Sequence, residues 1–183
     1  MQNQGKGRTM TYRYDRPDNL VDLIEDSVKA HEDLPVFGKK NAQGEYEWIT
    51  YRELGERIDN LRGGLSQAGV QKDDAVGIIA NNRTEWAVCA FATYGLGAKY
   101  IPMYETELEK IWKYIINDSG IKVLLVSTKE IYEKVISFKV DTPALEKVYI
   151  IDAMGENTMA ELERVGKANP VKSIKPEPSD IAV

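Results

Sequence analysis

"AVGIIANNRTEWAVCAFATYGLGAKYIPMY", residues 75–104, is the stretch on which the fold turns. It opens with "AVGIIA", a short continuous apolar run. A parallel strand covered on both faces reads this way, because neither face needs polar residues. "NNRT" follows as a turn. From Thr84 to about Gly95 the chain carries Trp86, Val88, Ala90, Phe91 and Tyr94, which predicts a helix. "KYIPMY" is then a short strand cut by Pro102. Strand, helix, strand is the repeating unit of a parallel sheet.

The unit continues downstream. Glu107–Asp118 reads as an amphipathic helix with Leu108, Ile111, Trp112, Ile115 and Ile116. "KVLLV", residues 122–126, and "KVYII", residues 147–151, are further buried strands. A short helix over Lys129–Ser137 lies between them, and a helix over Asn157–Gly166 follows with Met159, Leu162 and Val165. This order implies an α/β domain, helices packed on a mostly parallel sheet with right-handed crossovers.

Upstream the clearest helix starts at Thr50. "TYRE" puts Glu53 three residues after Thr50, the capping-box pattern. Tyr51, Leu54, Ile58, Leu61, Leu65 and Ala68 form one stripe, the face expected to pack on the sheet, and Gly69 stands where a helix ends. "PVFGKK" and "GEYEWIT" flank "NAQG" as a hairpin. Before it, Asp18 is the expected cap of a helix with Leu20, Leu23, Ile24 and Val28 on one face, ended by Pro35. Residues 1–17 are polar and Gly-rich and read as loose. The α/β subdomain spans 18–165. Residues 166–183 read as a Pro-rich connector leading into "IAV", the start of a strand.

Composition narrows the function. The 183 residues carry a net charge of −5, with 43% hydrophobic and 29% charged residues. That is ordinary for a globular domain and argues against a basic nucleic-acid face. No apolar run approaches the ~20 residues of a membrane span, and the N-terminus has no signal-peptide core. One cysteine, Cys89, makes no internal disulfide, which fits a reducing cytoplasm.

Reactive groups are few. His31 sits beside acidic residues and reads as a solvated surface histidine. Cys89, between Val88 and Ala90, reads as a small core residue rather than a nucleophile. The glycines of "GLGAKY" close a helix and precede a strand, opposite to a dinucleotide loop. No metal or phosphate-loop motif stands out, and no catalytic or metal-binding residue is assigned. Open α/β sheets bind ligands at the carboxyl ends of their strands, which singles out two turns. In "ANNRTEW", Asn81 and Asn82 could donate to a ligand, Arg83 could meet an anion and Thr84 could cap the helix. In "PMYETE", Tyr104 could line a pocket or cover the sheet edge, and Thr106 could cap the next helix. Asn82, Arg83, Tyr104 and Thr106 are the candidates for a substrate cleft. The blander reading gives all of them to turn building and capping.

Taken together, these segments carry a resemblance. "TYRELGERIDNLRGGLSQAGVQKDDAVGI", "NNRTEW", "GLGAKYIPMYET" and "YIINDSGIKVLLV" resemble the N-terminal part of the adenylate-forming acyl-CoA synthetases, most nearly the long-chain fatty acid–CoA ligases. The resemblance covers roughly residues 18–183. It implies an incomplete N-terminal subdomain of that fold. "PEPSDIAV" resembles the family's lead-in to a Ser/Thr/Gly-rich phosphate loop, so the resemblance implies a fragment ending just before that loop. Family members activate a carboxylate with ATP to an acyl-adenylate, releasing pyrophosphate, and the CoA thiol then takes the acyl group as AMP leaves, with Mg²⁺ bridging phosphates; the acid could be fatty, aromatic or an amino acid, and "PMYET" leans toward long-chain acids. ATP, Mg²⁺ and CoA are thus implied for the full-length enzyme, with none bound tightly by the fragment, which would be inactive alone. The fragment is expected to self-associate through an exposed sheet edge. The implied location is cytoplasmic or peripheral at a membrane. The alternative is a stand-alone α/β binding or interaction domain without catalysis.

Overall fold

The computed structural model describes residues 17–177 and 179–182. Residues 1–16 of the segment read as loose, and Val183 of the expected strand, lie outside the described residues. In chain order the elements are α1 (Leu20–His31), β1 (Pro35–Lys40), β2 (Tyr46–Thr50), α2 (Tyr51–Gln67), β3 (Ala75–Ile79) and α3 (Thr84–Tyr94). They continue as β4 (Lys99–Met103), α4 (Glu109–Ser119), β5 (Ile121–Val126), α5 (Lys129–Ser137), β6 (Lys147–Ile150) and α6 (Met159–Ala168).

The expected parallel sheet is present, four strands in the order β4-β3-β5-β6. All five residues of β3 are buried, which is why its sequence shows no alternation. Val76 and Ile78 join one apolar cluster with side chains of α2, α3 and α6. Ala75 and Ile79 join a second cluster with α4 and α5. The sheet is therefore covered on both faces. The hairpin β1–β2 forms a separate two-stranded antiparallel sheet closed by an Asn41–Glu45 turn, with Gly44 at φ +83°.

Helix ends follow local chemistry. Thr50 and Glu53 form the reciprocal capping box, and Gly69, just past α2, takes φ +98°. Leu54, Ile58, Leu61, Leu65 and Ala68 are buried as the stripe requires. The helix is not one-faced, however. Gly63 and Gly64 are buried too, because α6 crosses α2 there at backbone contact, and Arg62 is buried against Gly95 and the Val171 carbonyl. A Cβ on Gly64 would stand 2.2 Å from the Leu162 carbonyl oxygen, and one on Gly166 would stand 1.7 Å from that of Asn60. Only glycine permits this approach.

Several expected boundaries shift. Asn19, not Asp18, caps α1, its side chain accepting from the Asp22 amide. Val21 is the buried residue of α1, while Leu20 and Leu23 are about two-fifths exposed. The helix ends at His31, and Pro35 opens β1 rather than ending α1. Leu108 caps α4 without a side-chain bond, so Thr106 is not the cap; a turn from Tyr104 to Glu107 intervenes. Thr158 caps α6, which runs to Ala168, three residues into the segment read as connector. Ile181 and Ala182 lie outside any strand, although the Ala182 carbonyl accepts the Tyr100 amide at 2.8 Å on the outer edge of β4.

Candidate functional site

The carboxyl ends of β3, β4, β5 and β6 lead into Asn81, Tyr104, Ser127 and Asp152, so residues far apart in sequence share one rim. A cleft of about 1020 Å³ opens between this rim and the hairpin. Phe37, Trp48 and Ile49 of the hairpin face Asn82, Arg83 and Trp86 across it. The Trp86 indole is fixed edge-on against Tyr100 at 5.2 Å, and the Tyr100 hydroxyl donates to the Trp86 carbonyl at 3.0 Å.

Two of the four cleft candidates line this space, and two do not. Asn82 is exposed on the wall, next to Arg83. Tyr104 and Thr106 are exposed and lie outside it. What Tyr104 contributes to the fold is its backbone carbonyl, which accepts the Trp112 indole N–H at 2.9 Å. Asn81, the neighbour of Asn82, ties the β3 turn to the β4 turn. Its amide and its side chain both donate to the Glu105 carboxylate, at 3.1 and 3.0 Å. Thr84 is the first residue of α3 rather than its cap, and Arg83 holds the cap position without a side-chain cap bond.

Arg83 is not free for an anion. Its guanidinium forks onto Asp152 at 2.9 and 2.6 Å and donates through Nε to Glu85 at 2.7 Å. Glu85 also accepts from Arg57 at 3.0 Å, and Arg57 donates in turn to Glu163 at 2.9 Å. The result is an alternating chain, Glu163–Arg57–Glu85–Arg83–Asp152, joining α6, α2, α3 and the end of β6. The hydrogen bonds that Arg83 donates to Asp152 raise the Arg83 pKa, and they hold the Asp152 carboxyl below its ordinary value. Burial alone would raise the Glu85 carboxyl. Hydrogen bonding to Arg83 and the charges of Arg57 and Arg83 bring it below the ordinary value instead. Such a set fixes the spacing of the turns and shapes a wall. It offers no spare cation.

The remaining reactive groups resolve simply. His31 is exposed and packs at 5.6 Å against the Tyr51 ring. Cys89 is fully buried, and burial pushes its thiol up to about 12, away from the thiolate a nucleophile needs. Among the described residues no group of three or more His, Cys, Asp or Glu side chains is placed to hold a metal ion. The sequence does not mark out Ser127. Ser127, 1% exposed at the end of β5, has a hydroxyl without a hydrogen-bond partner among the described residues.

The profile of the AMP-binding enzyme family matches residues 24–183. Over 95% of its length the chain is 26% identical to long-chain-fatty-acid–CoA ligase 1 of Cavia porcellus, of which it covers 27%. Over 76% of its length it is 28% identical to fatty acyl-CoA synthetase A of Dictyostelium discoideum, covering 22% of that protein. The chain thus spans about a quarter of the length of these curated relatives. Among solved structures it is similar in fold to an anthranilate CoA ligase bound to anthranoyl-AMP (TM-score 0.78, 21% identity, 92% of this chain and 31% of that one). It is likewise similar to a long-chain-fatty-acid-CoA ligase from Archaeoglobus fulgidus (TM-score 0.76, 22% identity, 90% of this chain and 33% of that one).

Proposed function

The chain belongs to the AMP-binding enzyme family, and from that premise we propose that it is the N-terminal part of a long-chain fatty acid–CoA ligase. The observation that carries this reading is the match along nearly the whole chain to proteins named as such ligases, each about four times as long. In the full-length protein a fatty acid carboxylate attacks the α-phosphorus of ATP, giving acyl-adenylate and pyrophosphate. The CoA thiol then displaces AMP. Preorganised donors would stabilise the charge that develops at phosphorus.

Among the described residues the cleft does not fit the ATP phosphates or Mg²⁺: its one cation outside an ion pair is the exposed Lys39 of the hairpin. Arg57 and Arg83, the guanidinium groups on the cleft, are already held by carboxylates. No acidic cluster stands ready for a metal among the described residues. We therefore assign the phosphate-holding and catalytic groups to other parts of the longer protein, and residues 1–183 alone are inactive. Within it, the Asn81–Trp86 turn and the hairpin form a wall of the substrate cleft. Outside the cleft, Tyr104 and Thr106 have at most a shaping role. The protein works in the cytoplasm or at a membrane surface; no described helix is long and apolar enough to cross a bilayer. Residues 1–183 by themselves self-associate through an exposed sheet edge.

The test compares two polypeptides supplied with ATP, Mg²⁺, CoA and palmitate. The full-length gene product should release pyrophosphate and form palmitoyl-CoA, and residues 1–183 should do neither. Turnover by residues 1–183 would overturn the assignment of catalysis to other segments. A full-length product inert toward palmitate but active on an aromatic acid would overturn the substrate class.

A further inference from the structure

Glu105 stands between two residues, Tyr104 and Thr106, that lie outside the cleft, yet it lines the cleft itself. Its carboxylate is occupied by the neighbouring turn. One oxygen accepts the Asn81 amide at 3.1 Å and the other accepts the Asn81 side chain at 3.0 Å. Both donors belong to one residue 24 positions upstream, so a single grip joins the β3 turn to the β4 turn. The ion pairs of the cleft, Arg57 and Arg83 with Glu85, Glu163 and Asp152, leave Glu105 out.

The arm that carries Glu105 is itself fixed. The Tyr104 carbonyl accepts the indole N–H of the buried Trp112, and the Met103 carbonyl accepts the Ala80 amide at 3.1 Å. On the far side of the β3 turn, Arg83 forks onto Asp152. Asn82 lies between these two anchors, exposed on the cleft wall, and neither anchor uses its side chain. We propose that Glu105 is a positioning residue, which by gripping Asn81 fixes where the Asn82 side chain meets the acid substrate. The proposal rests on the reading of this cleft as part of the ligase's substrate site. A turn gripped on one side only must be ordered when the substrate binds, and that ordering weakens binding.

The chemistry of the grip gives it a signature. Glutamine at this position keeps two bonding atoms. Its carbonyl oxygen can accept the Asn81 amide, and its NH₂ can donate to the Asn81 side-chain oxygen once that amide flips. Alanine keeps neither. A grip made by hydrogen bonds therefore survives in Glu105→Gln, whereas an effect of charge does not.

The test uses the full-length gene product with ATP, Mg²⁺, CoA and palmitate. Glu105→Ala should raise the KM for palmitate about threefold to tenfold, as expected for one or two exposed hydrogen bonds, with kcat within about twofold. Glu105→Gln should restore the wild-type KM. Asn82→Ala should raise KM too, and adding Glu105→Ala to it should change little more, because the two act as one unit. An unchanged KM in Glu105→Ala would overturn the proposal. So would a KM in Glu105→Gln as high as in Glu105→Ala, or fully additive effects of Glu105→Ala and Asn82→Ala. A wild type inert toward palmitate counts against the ligase reading instead, and the grip is then read by amide hydrogen exchange on the same full-length variants. The Asn81 amide should exchange several-fold faster in Glu105→Ala, about as expected for one lost hydrogen bond, while the Leu125 amide of β5 keeps its protection. No acceleration at Asn81, or equal acceleration at Leu125, would overturn the grip.

Discussion

The α2–α6 crossing and the cleft rim lie on the same side of the sheet and are held together by opposite means. At the crossing, Gly63, Gly64 and Gly166 bring two backbones into contact, and no side chain intervenes. At the rim, five charged side chains reach across open distance to join four elements. The crossing depends on volume and is indifferent to pH. The rim depends on charge and is tolerant of small changes in shape. The α6 helix belongs to both, through Gly166 and Glu163, so the rim inherits its geometry from the crossing.

The largest expected effect breaks the crossing. Gly166→Ala adds a methyl group where the Asn60 carbonyl already lies within 1.7 Å of the ideal Cβ position. Overpacking against backbone should cost about 3 kcal/mol or more, measured by urea unfolding. A loss below about 1 kcal/mol would show that α6 can slide away, and the contrast between crossing and rim would fail.

The next effect tests the rim. Glu85→Ala leaves Arg57 and Arg83 facing each other with their shared acceptor gone, and should cost about 1–3 kcal/mol. Its pH dependence has a fixed sign. Glu85 and Asp152 have folded pKa values below their ordinary ones. Their stabilisation is therefore complete above the ordinary carboxylate range of ~4 and is lost as the pH falls through the lowered values. Acid sensitivity in that window should diminish in Glu85→Ala and persist in Gly166→Ala at whatever stability remains. Equal acid profiles in the two variants would erase the distinction.

The smallest effect sharpens it by separating two threonines. Thr50→Ala removes a capping box and should cost about 1 kcal/mol. Thr106→Ala removes an exposed turn residue that caps nothing, and its cost should stay within about 0.5 kcal/mol. Thermal unfolding of the two variants side by side decides between them.

These examples also show what the sequence discloses. The sheet was legible because a strand buried on both faces announces itself as an unbroken apolar run, as "AVGIIA" and "KVLLV" do. Thr50 was legible because its partner Glu53 is three residues away. Thr106 misled because the residue types that cap helices also build turns, and only geometry separates the two. Arg83 was legible as a group on the cleft, but its partner Asp152 lies 69 residues on, and no local pattern links them. The glycine crossing was invisible for the same reason. Gly63 and Gly64 look like flaws in a helix until α6 is laid against them.

Cys89 has a practical consequence. It is the chain's single thiol, with no exposed surface, in the cluster that binds α2, α3 and α6 to the sheet. A thiol-alkylating reagent added to the folded protein has one possible target, and it can strike only when that cluster parts. The rate of labelling is therefore a built-in stopwatch for the opening of the interior, needing no engineered probe.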